Sequence, residues 1–80
     1  MKIVKLNQVK KGEYLMRGGL SRIQQARIVN GFEPVARISD VWVKGDYIRE
    51  TRKYSVTKVD DMNKENCLPG SALVWVGFTF

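Results

Sequence analysis

From Val41 onward, apolar and polar side chains alternate with a period of two, and that rhythm confines the second half of the chain to β-structure. Residues 41–49 read Val-Trp-Val-Lys-Gly-Asp-Tyr-Ile-Arg. The alternation puts Val41, Val43 and Tyr47 on an inward face and Trp42, Lys44, Asp46 and Ile48 on the outward one. Glu50, Thr51 and Arg52 suit a hairpin turn, after which residues 54–59 return with Tyr54 and Val56 inward. Residues 72–80 form a last strand, with Val74, Val76, Phe78 and Phe80 toward the core and Trp75 on the opposite side. Gly77 within it marks a bulge or a close backbone approach.

The first half is less regular. Residues 12–17 read as a strand after a glycine turn. Ser21 and Gln24 match a capping box, and Asn30-Gly31 would end the short helix it starts. The competing reading is a strand through 26–29, with Asn30-Gly31 as a hairpin turn. The glycines of Val9–Leu15, Val43–Ile48 and Leu68–Val74 are repeated turn chemistry rather than a structural repeat. The expected fold is mainly β: four to six antiparallel strands in one domain, 1–80, forming a small barrel or strongly bent sheet with one short helix near residues 21–30. The expected core comprises Val9, Tyr14, Ile23, Val41, Val43, Tyr47, Tyr54, Val56, Leu73 or Val74, Val76, Phe78 and Phe80.

Eighty residues bury a thin core. The chain carries a net charge of +6, unevenly spread. Residues 1–30 hold seven bases and one acid, whereas residues 60–80 hold one base and three acids. The basic half is where an anionic partner is expected. The single cysteine, Cys67, cannot form an internal disulfide, which excludes a stapled secreted mini-protein and fits a reducing compartment. The longest apolar run, Ala72–Val76, falls far short of the roughly 20 residues that span a bilayer. Met1–Lys5 offers no stretch for a signal peptide. A cytoplasmic protein without a membrane partner is expected.

No catalytic or cofactor role is expected. The chain has no histidine, and its adjacent carboxylates Asp60 and Asp61 point apart in extended backbone. Asp61, Asn63 and Glu65 mimic the first alternate positions of a calcium loop. Asn66 and Ala72 then stand where glycine and glutamate are needed, so an Asp/Asn-capped turn is expected instead of a metal site.

The expected activity is nucleic-acid binding. Lys and Arg neutralise phosphates, and outward aromatic rings stack on bases. Lys10, Lys11, Arg17, Arg22, Arg27 and Lys44 are the candidate phosphate contacts, and Trp42 and Trp75 the stacking platforms. The expectation requires both indoles and the cations to converge on one outward patch. The alternative is a protein–protein module, a virion component or an inhibitor of a host protein. Its exposed edge strands could recruit another chain or form a homo-oligomer. A third reading, binding of a small anionic ligand, calls for a deep pocket lined by arginine and aromatic rings.

Val41–Arg49, Lys53-Tyr54-Ser55, Asp60–Asn63 and Val76–Phe80 together resemble a group of small uncharacterised proteins of tailed phages and related mobile elements. The resemblance covers about half the chain, and Gly18–Ser39 has no counterpart in it. It implies a phage-type accessory protein built on a small β domain and transfers no functional residue. Separately, Val9–Tyr14 is similar to the first strand of SH3-like barrels.

Overall fold

The computed structural model describes residues 1–17 and 36–80. The helix or strand expected within 21–30, and Ile23 of the expected core, lie outside them. Among the described residues six antiparallel strands form one sheet: β1 (Lys2–Lys5), β2 (Tyr14–Arg17), β3 (Val41–Ile48), β4 (Lys53–Lys58), β5 (Glu65–Pro69) and β6 (Leu73–Val76), in the spatial order β1-β6-β2-β3-β4-β5. The sheet is bent and does not close into a barrel. Among the described residues no helix is long and apolar enough to cross a membrane.

The expected hairpin is present. Arg52 takes the left-handed conformation, with φ of 56°, and its amide donates to the Ile48 carbonyl at 2.9 Å. The Asp/Asn turn also forms as the side chains dictate: the Asn63 amide donates to the Asp61 carboxylate at 3.2 Å, and the Lys64 amide to the Asp61 carbonyl at 2.9 Å. Two strands, β1 and β5, go beyond the sequence expectation. Both are edges, where propensity is weakly enforced, and Pro69 is tolerated at the end of β5 for that reason.

Register decides which side chains share a face. Leu15 lies opposite Trp42, Trp42 opposite Lys58, Lys44 opposite Val56, and Val74 opposite both Val4 and Arg17. These residues line the concave side. There Leu6, Val9, Leu15, Val56 and Val74 make a fully buried core, flanked by Val4, Trp42, Tyr54, Leu68, Ala72 and Val76. A 3-10 turn, Leu6–Gln8, drops Leu6 into this core. The amides of Leu6 and Asn7 donate to the carbonyls of Ala72 and Gly70, at 2.8 and 3.0 Å, and so prolong the β1–β6 ladder into that turn.

The expected phase of β3 is reversed at its start. Trp42 and Lys44 face the core, while Val41 and Val43 face the convex side. Val41 is nevertheless fully buried there, directly opposite the buried Met16. The register shifts between Lys44 and Tyr47. One extra residue in β3 therefore brings Tyr47 round to the concave side, opposite Tyr54, with ring centroids 5.0 Å apart. Gly45 occupies the irregular stretch because a Cβ there would lie 2.2 Å from the Ser55 hydroxyl oxygen.

Val9, Val41, Val56 and Val74 are buried as expected. Tyr14, Tyr47 and Phe80 are about half exposed, against expectation; of the alternatives Leu73 and Val74, it is Val74 that is buried, and Leu73 is exposed. Tyr14 and Phe80 satisfy each other instead, edge to face at 5.0 Å. The last strand ends at Val76, short of the expected 72–80. Gly77, with φ of +74°, turns the backbone out of the ladder, and the Thr79 carbonyl accepts from the Ala36 amide at 2.7 Å.

Candidate functional site

Two cationic groups on the concave side behave in opposite ways. Lys44 is the first. Its backbone amide donates to the Glu13 carbonyl at 3.0 Å, and its carbonyl accepts from the Gly12 amide at 2.8 Å, so the ladder to the residues before β2 holds it rigidly. The side chain then runs inward and is 6% exposed. Its ammonium donates to the carbonyls of Leu6 (2.9 Å) and Val9, and lies 4.1 Å from the Tyr54 ring centroid. The Leu6 carbonyl also closes the 3-10 turn by accepting from the Val9 amide at 3.0 Å, whereas among the described residues the Val9 carbonyl has Lys44 as its donor. A buried carbonyl left unpaired costs about 1–3 kcal/mol, and Lys44 removes that cost at Val9. Burial pushes its ammonium below the ordinary lysine range, and the nearby Glu13 carboxylate offsets part of that. Lys44 was expected to contact phosphates. It does not face outward, and its ammonium is committed to the fold.

The second group sits further along the same face. Trp42 packs its indole partly against the core and leaves the rest open. The Arg17 guanidinium lies 5.3 Å from the centroid of that ring, and the Lys58 ammonium 5.9 Å. Both distances allow a favourable cation–ring interaction. With the Asn66 amide oriented to satisfy both its ends, its oxygen accepts from Arg17 Nη1 at 2.7 Å and its nitrogen donates to the Glu65 carbonyl at 3.2 Å. Arg17 thus reaches from β2 across β3 and β4 to β5, a span that the bend of the sheet makes short. Lys58 is part-buried, and its ammonium is 3.8 Å from the Asp60 carboxylate. The result is a partly exposed indole held beside two cations, with an amide nearby.

The other expected contacts do not join this cluster. Lys10 and Lys11 lie exposed in the turn before β2, at the opposite end of that strand from Arg17. Lys11 is ion-paired with Asp46 at 2.6 Å. Arg22 and Arg27 lie outside the described residues. Trp75 stands opposite Met16, the neighbour of Leu15, whereas Trp42 stands opposite Leu15. Adjacent strand residues point to opposite faces, so the two indoles occupy opposite sides of the sheet. The expected convergence of both tryptophans on one patch is therefore not found.

Sequence reasoning missed Lys58 and Asn66. Pairing the hairpin strands outward from the turn sets Lys58 opposite Val43, and only the register shift between Lys44 and Tyr47 brings it opposite Trp42. Asn66 carried no signal either, because its approach to Arg17 passes over two intervening strands, β3 and β4.

The features looked for in a small-anion pocket are absent from the cleft between β1 and the 3-10 turn. It holds about 290 Å³ and is lined by Lys2, Val4, Gln8, Val9, Glu13 and Val76, without arginine or an aromatic ring. Among the described residues no group of three His, Cys, Asp or Glu side chains is placed to hold a metal ion. The chain matches no family model, no curated protein and no solved structure.

Proposed function

We propose that the chain is a non-enzymatic nucleic-acid-binding domain that engages a single strand at the Arg17–Trp42–Lys58 cluster. The observation that carries the reading is two cations within 6 Å of one partly exposed indole. Arg17 and Lys58 neutralise phosphates with release of counterions, and Trp42 supplies ring surface for a base. The net charge of +6 favours approach of a polyanion over the whole surface. Lys44 takes no part beyond holding the turn that shapes the concave face.

The test is fluorescence titration with labelled oligothymidine and oligouridine at low and moderate salt. Trp75→Phe leaves Trp42 as the single indole, and its emission is expected to be quenched on binding. Absence of binding at low salt, where counterion release is most favourable, refutes the reading.

A second reading is supported by the convex side. Ile3 lies opposite Trp75, and exposed Leu73 follows on the same face. Exposed Tyr14 is on that face as well, in contact with Phe80. Apolar side chains gathered on one face suit protein docking, with Trp75 as an anchor. Partner recovery from lysate that survives nuclease treatment supports this reading over the first.

A further inference from the structure

We propose that the outer edge of β5, which no other described strand pairs, is a homodimer interface, at which two copies pair antiparallel about a two-fold axis through Cys67. The argument starts from hydrogen-bond direction. The Lys58 amide donates to the Lys64 carbonyl at 3.0 Å, which makes Lys58 and Lys64 a hydrogen-bonded pair of the β4–β5 ladder. In an antiparallel ladder such pairs alternate, so the backbone groups of Asn66 and Leu68 also face β4. Those of Glu65, Cys67 and Pro69 then point away from the sheet. Among the described residues no strand pairs with that edge; the Pro69 carbonyl accepts from the Ala72 amide at 3.0 Å and the Glu65 carbonyl from the Asn66 side chain at 3.2 Å.

Charge and chemistry select a second copy as the occupant. With Cys67 opposite Cys67 of the second copy, Glu65 falls opposite Pro69. The two Cys67 amides then find each other's carbonyls across the axis, and the two Glu65 amides face the second lone pair of Pro69 carbonyls that already accept from Ala72. The missing amide hydrogen of Pro69 leaves no gap, because the Glu65 carbonyl it would have served already accepts from the Asn66 side chain. Lys53 lies opposite Pro69 on the same face. Each Glu65 carboxylate therefore approaches a Lys53 ammonium of the other copy, and no like charges meet directly. The other edge, β1, is poorer. It has four residues, two of them lysine, and the Lys5 amide is already capped by Gln8 Oε1 at 3.1 Å.

This pairing does not depend on nucleic-acid binding. It would set two Arg17–Trp42–Lys58 clusters on the same side of one continuous sheet.

Sedimentation of the full chain from about 10 μM to about 1 mM tests it. A concentration-dependent dimer is expected. Glu65→Lys sets lysine beside Lys53 twice per dimer and is expected to weaken association about tenfold. Adding Lys53→Glu restores the opposite charges and is expected to recover it, which separates the interface from any folding defect. Oxidised glutathione is expected to link Cys67 to Cys67. The two thiols lose two protons and two electrons as the oxidant becomes two molecules of glutathione, and linkage is slower in Glu65→Lys. A monomer at every concentration overturns the proposal, as does a dimer indifferent to Glu65→Lys or an assembly larger than two.

Discussion

The Lys44 ammonium donates to the carbonyl of Leu6 at 2.9 Å, joining the middle of the central strand β3 to a turn 38 residues earlier in the chain. This bond, with its companion to Val9, holds the 3-10 turn over the concave core. Replacing Lys44 with methionine keeps the length of the side chain but leaves the Val9 carbonyl unpaired and the Leu6 carbonyl with the Val9 amide alone. The expected loss is about 1–3 kcal/mol of folding stability, readable as a lower urea midpoint at unchanged slope.

The same residue carries a pH signature. Burial lowers the Lys44 pKa in the folded state from the ordinary 10.5, with Glu13 opposing the shift. Between the folded pKa and 10.5 the unfolded chain thus holds more protons, and stability from this group rises with pH. Below the folded pKa the cost of the buried charge is present in full. The stability of the wild type relative to Lys44→Met is expected to increase as the pH rises toward 10.5, measured by urea unfolding at each pH. A decrease over that range would mean that the fold favours the charged ammonium over the neutral amine.

Gly45 gives a sterically defined prediction. Gly45→Ala sets a methyl 2.2 Å from Ser55 Oγ and is expected to cost about 1–3 kcal/mol. The next nearest atoms, the Ser55 carbonyl oxygen and Cβ, are 3.4 and 3.5 Å away, at ordinary contact distance. Adding Ser55→Ala should therefore return most of the loss. A double variant no more stable than Gly45→Ala would place the strain in the backbone of the bulge.

Binding variants separate the two sides of the sheet. Arg17→Ala and Lys58→Ala are each expected to weaken oligonucleotide binding and to reduce the slope of log affinity against log salt by about one. Trp42→Ala is expected to cost about 1–3 kcal/mol of binding where a base stacks on the ring. Trp75→Ala, on the far face, is expected to leave affinity unchanged. Equal losses at the two tryptophans, with folding intact, contradict the proposed site.

Local chemistry made much of this molecule legible in advance. Thr51 and Arg52 turn the β3–β4 hairpin where expected, and Asp61 caps its loop through short-range bonds. The period of two in residues 41–48, 54–58 and 73–76 announced strands, and Val56 and Val74 were correctly placed inside. Tyr14 and Phe80 were misplaced because aromatic volume suggests a core whether or not the sheet has room for it. The site was legible in part. Arg17 and Trp42 were anticipated, without any means of knowing that they meet.

The chain by itself determined that it would be an antiparallel β fold and where its tight turns would come, because both depend on residues within a few positions of one another. Tertiary structure alone decided which side of each strand is inside. Alternation has two equivalent phases, and the irregularity between Lys44 and Tyr47 exchanges them within one strand. It also decided that Lys44 would be buried, since the carbonyls that make its burial tolerable belong to Leu6 and Val9. Only the completed bend of the sheet brings those groups together.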